Sequence, residues 1–141
     1  MEGVTVTFAE PGIYFPTVRV TDTASAVYTE SAIVQVLDDV QLDVQLRAKW
    51  DGMKNALRSG NTATTASYIL ARKRASYQMV FNNLTIPFSS IDPMLTSITY
   101  VSVQGLNVEY EMLRTEGTDG EVSYMVLFAL DTDGVWRISF F

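Results

Sequence analysis

The sequence predicts an α+β protein, with three helices packed on a curved antiparallel sheet and an extra three-stranded β segment in front of them. Three observations carry this. Apolar and polar residues alternate near both ends of the chain, the period of a strand. Between Leu42 and Leu57 the period becomes helical, with Leu42, Leu46, Trp50, Met53 and Leu57 in one stripe. Pro and Gly residues punctuate the strands at turn spacing.

The elements run in order. Val4, Val6 and Phe8 alternate with Thr5 and Thr7 in a first strand, and Ala9-Glu10-Pro11-Gly12 turns the chain. Ile13 to Val20 and Ala26 to Leu37 are two more strands, separated by the turn Thr21 to Ser25. Three such strands read as part of a sandwich and need another surface to pack on. Asp38 or Asp39 then caps a helix of about five turns, which Ser59-Gly60-Asn61 ends with Gly60 as the left-handed residue. Thr62 to Leu70 is a short second helix. Ala71 to Leu84 is a third, with Tyr77, Val80, Phe81 and Leu84 on one side. Pro87 and Pro93 break the stretch after it, and Asp92-Pro93-Met94-Leu95 starts a single helical turn. Four strands finish the chain: Ile98 to Gln104, Leu106 to Thr115, Glu121 to Leu130 and Val135 to Phe141. Their turns are Gly105, Glu116 to Gly120, and Asp131-Thr132-Asp133-Gly134. The division falls between residues 1–37 and 38–141.

Composition narrows the function. The 141 residues are 48% apolar, which supplies a core for one domain, or one domain and a fragment. A net charge of −6 argues against a nucleic-acid surface. The chain has no His and no Cys. That removes His-based triads, thiol nucleophiles, thiolate metal sites and disulfides, and no cofactor or metal is expected. Met1-Glu2-Gly3 opens without a basic, apolar leader, and no run approaches 18 apolar residues. Neither a signal peptide in this chain nor a membrane span is therefore expected.

Two resemblances emerge from these elements. Val6-Thr7-Phe8-Ala9-Glu10-Pro11-Gly12-Ile13-Tyr14, and after it Val18-Arg19-Val20-Thr21-Asp22, resembles the second half of a PKD-type, immunoglobulin-like domain. In that family a Pro-Gly-x-Tyr turn precedes a strand ending Val-x-Val-Thr-Asp. The family's first half, with its Trp-Asp-Phe-Gly-Asp-Gly-like segment, has no counterpart here. Residues 40–141 resemble the NTF2-like superfamily, cystatin-like α+β cones, in the form of an uncharacterised module that follows Ig-like domains in bacterial surface proteins. The matching pieces are Trp50 to Leu57, Ser59-Gly60-Asn61, Arg74-Ala75-Ser76-Tyr77 and Asp131 to Ile138. The resemblances imply a fold and an extracellular, periplasmic or cell-surface setting. They imply no established activity.

Enzymatic members of that superfamily resemble one another in holding a carboxylate, often with a His, inside the cone, where it can act as a base. Here Val108, Tyr110 and Met112 share one face of their strand, and Glu109 and Glu111 take the other. Val122, Tyr124, Val126 and Phe128 share a face, as do Trp136, Ile138 and Phe140. The apolar sets should meet the helices and leave both glutamates outside. No inward acid–base pair is expected, and the chain reads as a non-catalytic structural or interaction module, with a small-molecule-binding pocket as the first alternative and an NTF2-like enzyme using Tyr and carboxylate groups alone as the second. Tyr110, Tyr124 and Trp136 either line a pocket for a small apolar or amphipathic molecule or fill the cone as core aromatics.

The remaining features read plainly. Arg72-Lys73-Arg74 is expected to be a solvated helix face. Asp131-Thr132-Asp133-Gly134 reads as a hairpin turn, because the twelfth position of a calcium loop starting there lies beyond Phe141. Asn83-Leu84-Thr85 fits a glycosylation sequon, idle in a bacterial setting. Met125, Leu127 and Ala129 form an outward apolar strip, which points to a homodimer or to packing of residues 4–37. Neighbouring Ig-like domains of the same parent protein are the other expected partners.

Overall fold

A computed structural model describes residues 5–118 and 120–141. Val4, at the start of the first expected strand, Met1-Glu2-Gly3, and Asp119 of the polar turn lie outside the described residues. The chain divides into two units, Met1–Leu42 and Asp43–Phe141.

The first unit holds four short strands, β1 (Gly12–Tyr14), β2 (Thr17–Thr21), β3 (Val27–Ser31) and β4 (Val34–Val36). They form two antiparallel pairs in one register. Gly12 faces Val36, Tyr14 faces Val34, Thr17 faces Ser31 and Thr21 faces Val27. The pairs are therefore two stretches of a single hairpin. Phe15 and Pro16 interrupt one arm, where Pro16 has no N–H to give. Its carbonyl still accepts from Ala32 at 3.0 Å. Asp22 organises the tip, where its Oδ1 accepts the amides of Ala24 and Ala26 at 2.8 and 2.9 Å. The second and third expected strands are the two arms of this ribbon, while residues 5–9 of the first form no strand. One face of β2–β3 carries Val18, Val20, Tyr28 and Glu30; the other carries Thr17, Arg19, Thr29 and Ser31. Val18, Val20 and Tyr28 are at least half exposed.

Helix α1 (Asp39–Arg58) begins where the Asp38 carboxylate accepts the amides of Val40 and Gln41 at 2.9 and 3.0 Å. In the second unit its stripe of Leu46, Trp50, Met53 and Leu57 is buried to 2% exposure or less. Each such side chain stabilises the fold by roughly 1.5–3 kcal/mol. Gly60 closes the helix at φ +73°, and the Asn61 side chain caps α2 (Thr62–Ser67) by accepting from the Thr64 amide. The expected third helix is divided. Ala71–Lys73 is one 3-10 turn, and α3 runs Arg74–Asn82. The expected helical turn at 92–95 is a tight turn in which Met94 and Leu95 both donate to the Ile91 carbonyl.

Four strands form an antiparallel meander in sequence order: β5 (Ile98–Gln104), β6 (Asn107–Glu116), β7 (Gly120–Leu130) and β8 (Trp136–Phe140). Val108, Tyr110, Met112, Val126, Phe128 and Ile138 are buried on one face. Beyond β8 the sheet gains one more row. Leu70 donates to the Ile138 carbonyl, and Ile138 donates to the Tyr68 carbonyl, both at 2.9 Å, so residues 68–70 run parallel to β8. Two bulges change the expected phases. Val101 is extra on β5. Ser139 is extra on β8, where Phe128 faces Ile138 but Leu127 faces Phe140. The bulge turns Phe140 out, to 46% exposure, and buries Ser139. Phe140 therefore does not share the inward face of Trp136 and Ile138. The coarse α+β class is as the sequence predicted.

Candidate functional site

A cavity of about 460 Å³ lies in the second unit between α3, the segment after it, and the β6–β7 half of the sheet. Tyr77, Val80, Phe81 and Leu84 recur at helical spacing and all four line it. Ile86, Ile91, Met94 and Leu95 supply a second wall. That wall forms because Pro87 and Pro93 prevent the helix from continuing and let the chain fold back. Leu57 and Phe141 contribute from α1 and the C-terminus, and Met112, Arg114 and Tyr124 from the sheet. The volume lies in the range of small-molecule sites, which pair apolar walls with a few placed polar groups.

The polar groups belong to one cluster. The Arg114 guanidinium lies over the Tyr124 ring, 4.7 Å from its centroid. It donates to the Glu116 carboxylate and, at 3.3 Å, to the Tyr124 hydroxyl. Tyr124 in turn donates to Glu116 at 2.6 Å. Arg114 is the charged side chain among the described residues that line the cavity. At the far wall, Phe141 donates its amide to the Tyr77 hydroxyl at 3.3 Å, and burial raises the Tyr77 pKa.

The three aromatics singled out in the sequence do not come together. Tyr124 lines the cavity. Tyr110 lies in the solid core, edge-on to Phe128 at 5.5 Å and to Tyr100 at 5.9 Å. Its hydroxyl donates to Asp43 at 2.9 Å. Burial first, and the Asp43 carboxylate second, push its pKa far above the usual tyrosine value. Trp136 is 3% exposed, and its indole N–H has no partner among the described residues. Glu109 and Glu111 lie on the opposite face of β6 from Tyr110, where Glu111 accepts from Ser123 at 2.7 Å. Sequence reasoning missed Arg114. The signal was the alternation itself, since two residues past Met112 the inward face of β6 reaches Arg114.

The other candidates have structural partners. Asp131-Thr132-Asp133-Gly134 is a hairpin turn held by Arg137, which bonds Asp131 at 2.9 Å and Asp133 at 2.6 and 2.8 Å. Asp131 also accepts the Ala71 amide at 2.9 Å. Arg137 pulls the Asp133 pKa down to about 2, and amide hydrogen bonds lower that of Asp131. No acidic group among the described residues is arranged to hold a metal. Within the basic triplet Arg72 is exposed, and Lys73 and Arg74 are half-buried. Arg74 reaches back to the carbonyls of Ala66 and Ile69 at 3.2 and 3.4 Å, and Lys73 lies over the Phe140 ring at 5.9 Å. The outward strip shortens to Met125 and Leu127, because Ala129 is buried. No helix among the described residues is long and apolar enough to cross a membrane. Set against family models, curated proteins and solved structures, the chain matches none of them.

Proposed function

We propose that residues 43–141 are a non-catalytic, NTF2-like binding module whose cavity takes a small, largely apolar molecule. The observation that carries this is the 460 Å³ space with walls from α3, the 84–95 segment and β6–β7. Helices in front of an antiparallel meander support the NTF2-like reading. The inner face of β6 offers Val108, Tyr110, Met112 and Arg114, and the carboxylate that ends it, Glu116, is engaged by Arg114 and the Tyr124 hydroxyl, which favours binding over proton transfer. The ribbon of residues 12–36 is read as part of a PKD/Ig-like sandwich in a secreted or surface bacterial protein. Its Val18, Val20 and Tyr28 face is the one that the opposite sheet of such a sandwich would cover.

Nile red, an uncharged apolar dye, tests the cavity. Saturable fluorescence enhancement is expected with the native chain. It should fall at least tenfold in affinity when Val80→Trp or Leu84→Trp fills the space. Absence of saturable binding by a cooperatively folded chain returns the domain to a purely structural role.

A further inference from the structure

The cavity's polar end selects its ligand. Resting on the reading of the cavity as a binding site, we infer that it takes an anionic amphiphile, an apolar body ending in a carboxylate.

Four observations converge on that chemistry. The walls from Tyr77, Val80, Phe81, Leu84 and Met112 are apolar or aromatic, so the body of the ligand is hydrocarbon. Arg114 adds a single positive charge to them, and it stands near the end of β6, two residues from the strand's last residue, Glu116. The guanidinium is fixed in orientation before any ligand arrives. Its central carbon lies over the Tyr124 ring, and Glu116 together with the Tyr124 hydroxyl holds its NH2 edge. A planar fork held this way presents its donors to a carboxylate at little further entropic cost.

Glu116 has a defined part in this arrangement. An arginine facing an apolar space needs a counter-charge while that space is empty, and Glu116 supplies it. Arg114 lines the cavity and Glu116 holds it from beyond that lining, so a ligand carboxylate meets the cation first. The two carboxylates then share one guanidinium, whose five N–H donors can serve both. Glu116 therefore limits affinity for an anion and disfavours an anion alone, without the hydrocarbon burial that offsets this repulsion. A cationic head would meet Arg114 directly and be rejected.

Decanoate, decanol and decylammonium, titrated calorimetrically into the full chain at pH 7, separate the head groups on one hydrocarbon chain. Decanoate is expected to bind about tenfold or more tighter than decanol, the scale of one charged hydrogen bond. Decylammonium is expected to bind more weakly than decanol. Arg114→Leu should erase the decanoate advantage while keeping decanol binding. Glu116→Gln, which keeps the cation, should raise decanoate affinity severalfold, and covers the case in which Arg114→Leu does not fold. Lowering the pH until decanoate protonates should bring it level with decanol. Equal binding of decanoate and decanol, unaffected by Glu116→Gln, overturns the head-group inference and leaves the apolar cavity standing. Tightest binding by decylammonium also overturns it, with Glu116 as the selecting group. If none of the three binds and Nile red fails as well, the cavity reading falls with it.

Discussion

Tyr110 on β6 donates its hydroxyl to Asp43 on α1 across 2.9 Å, and the same carboxylate receives the Arg47 guanidinium at 2.9 Å. Arg47 then donates to the carbonyl of Ile98 on β5. One buried hydroxyl thus joins a helix to two strands, and each polar group on the path has a partner.

Tyr110→Phe should cost about 1–2 kcal/mol, because Asp43 keeps Arg47 but loses a donor. The same variant should change the alkaline limb of stability. The folded-state pKa of Tyr110 lies above the unfolded value near 10. Its contribution is complete below that unfolded value and is lost as pH rises past it. Urea unfolding between pH 8 and 11 should show a shallower decline in Tyr110→Phe. Tyr77, also raised, keeps some decline in place.

Acid should act at the β7–β8 turn. Asp131 and Asp133 have depressed pKa values in the fold, that of Asp133 being about 2. Their stabilisation is present above the unfolded value near 4 and disappears as pH falls through the folded value. Asp133→Asn should lower stability at pH 6 and flatten its fall between about pH 4 and pH 2. A stability profile as steep as that of the native chain would exclude this turn as an acid-sensitive point.

Gly52 reverses an ordinary rule. Alanine at a mid-helix glycine usually stabilises by about 0.5–1 kcal/mol. Here a Cβ would sit 2.6 Å from the Tyr68 hydroxyl oxygen and 2.9 Å from its ring carbon. Gly52→Ala should therefore destabilise the protein by about 1–2 kcal/mol, the cost of overpacking. In a Tyr68→Leu background the sign should reverse, and chemical denaturation of the four variants closes the cycle.

Native-state hydrogen exchange should separate the two units. Amides shared by β6 and β7 are protected by a buried face and by strands on both sides. Amides paired across β2 and β3 belong to a two-stranded ribbon with both faces exposed. The ribbon should exchange by local opening at a far lower free energy than β6–β7. Equal protection in the two places would show that the ribbon is covered in solution.

Elements with strong local codes are legible in the sequence. The Leu42-to-Leu57 stripe, a cap at Asp38 or Asp39, Gly60 and the four C-terminal strands all arise from period and turn chemistry. Phe140 is not legible, because the Ser139 bulge inserts a residue through pairing with β7, and period two has no local mark for an insertion. The pairing of the ribbon is hidden too, because β propensity fixes extension and not partners. Arg74 reads as solvated, since no sequence pattern shows that the carbonyls of Ala66 and Ile69 lie within its reach. Tyr110 and Trp136 share an inward parity with Tyr124, yet parity fixes a face and not the depth along the strand at which packing opens into a cavity.

The row formed by Tyr68, Ile69 and Leu70 beside β8 restricts how this sheet could grow. A sheet with two open margins can add copies at both and extend into a filament. Here residues 68–70 bridge the outer side of β8 at Ile138, while β5, among the described residues, has a strand on one side along its whole length. Pairing of β5 with β5 of a second molecule would join the two four-stranded meanders about a two-fold axis, with no β5 margin left to recruit a third. The chain's own backbone thus leaves β5 as the full-length margin of this sheet.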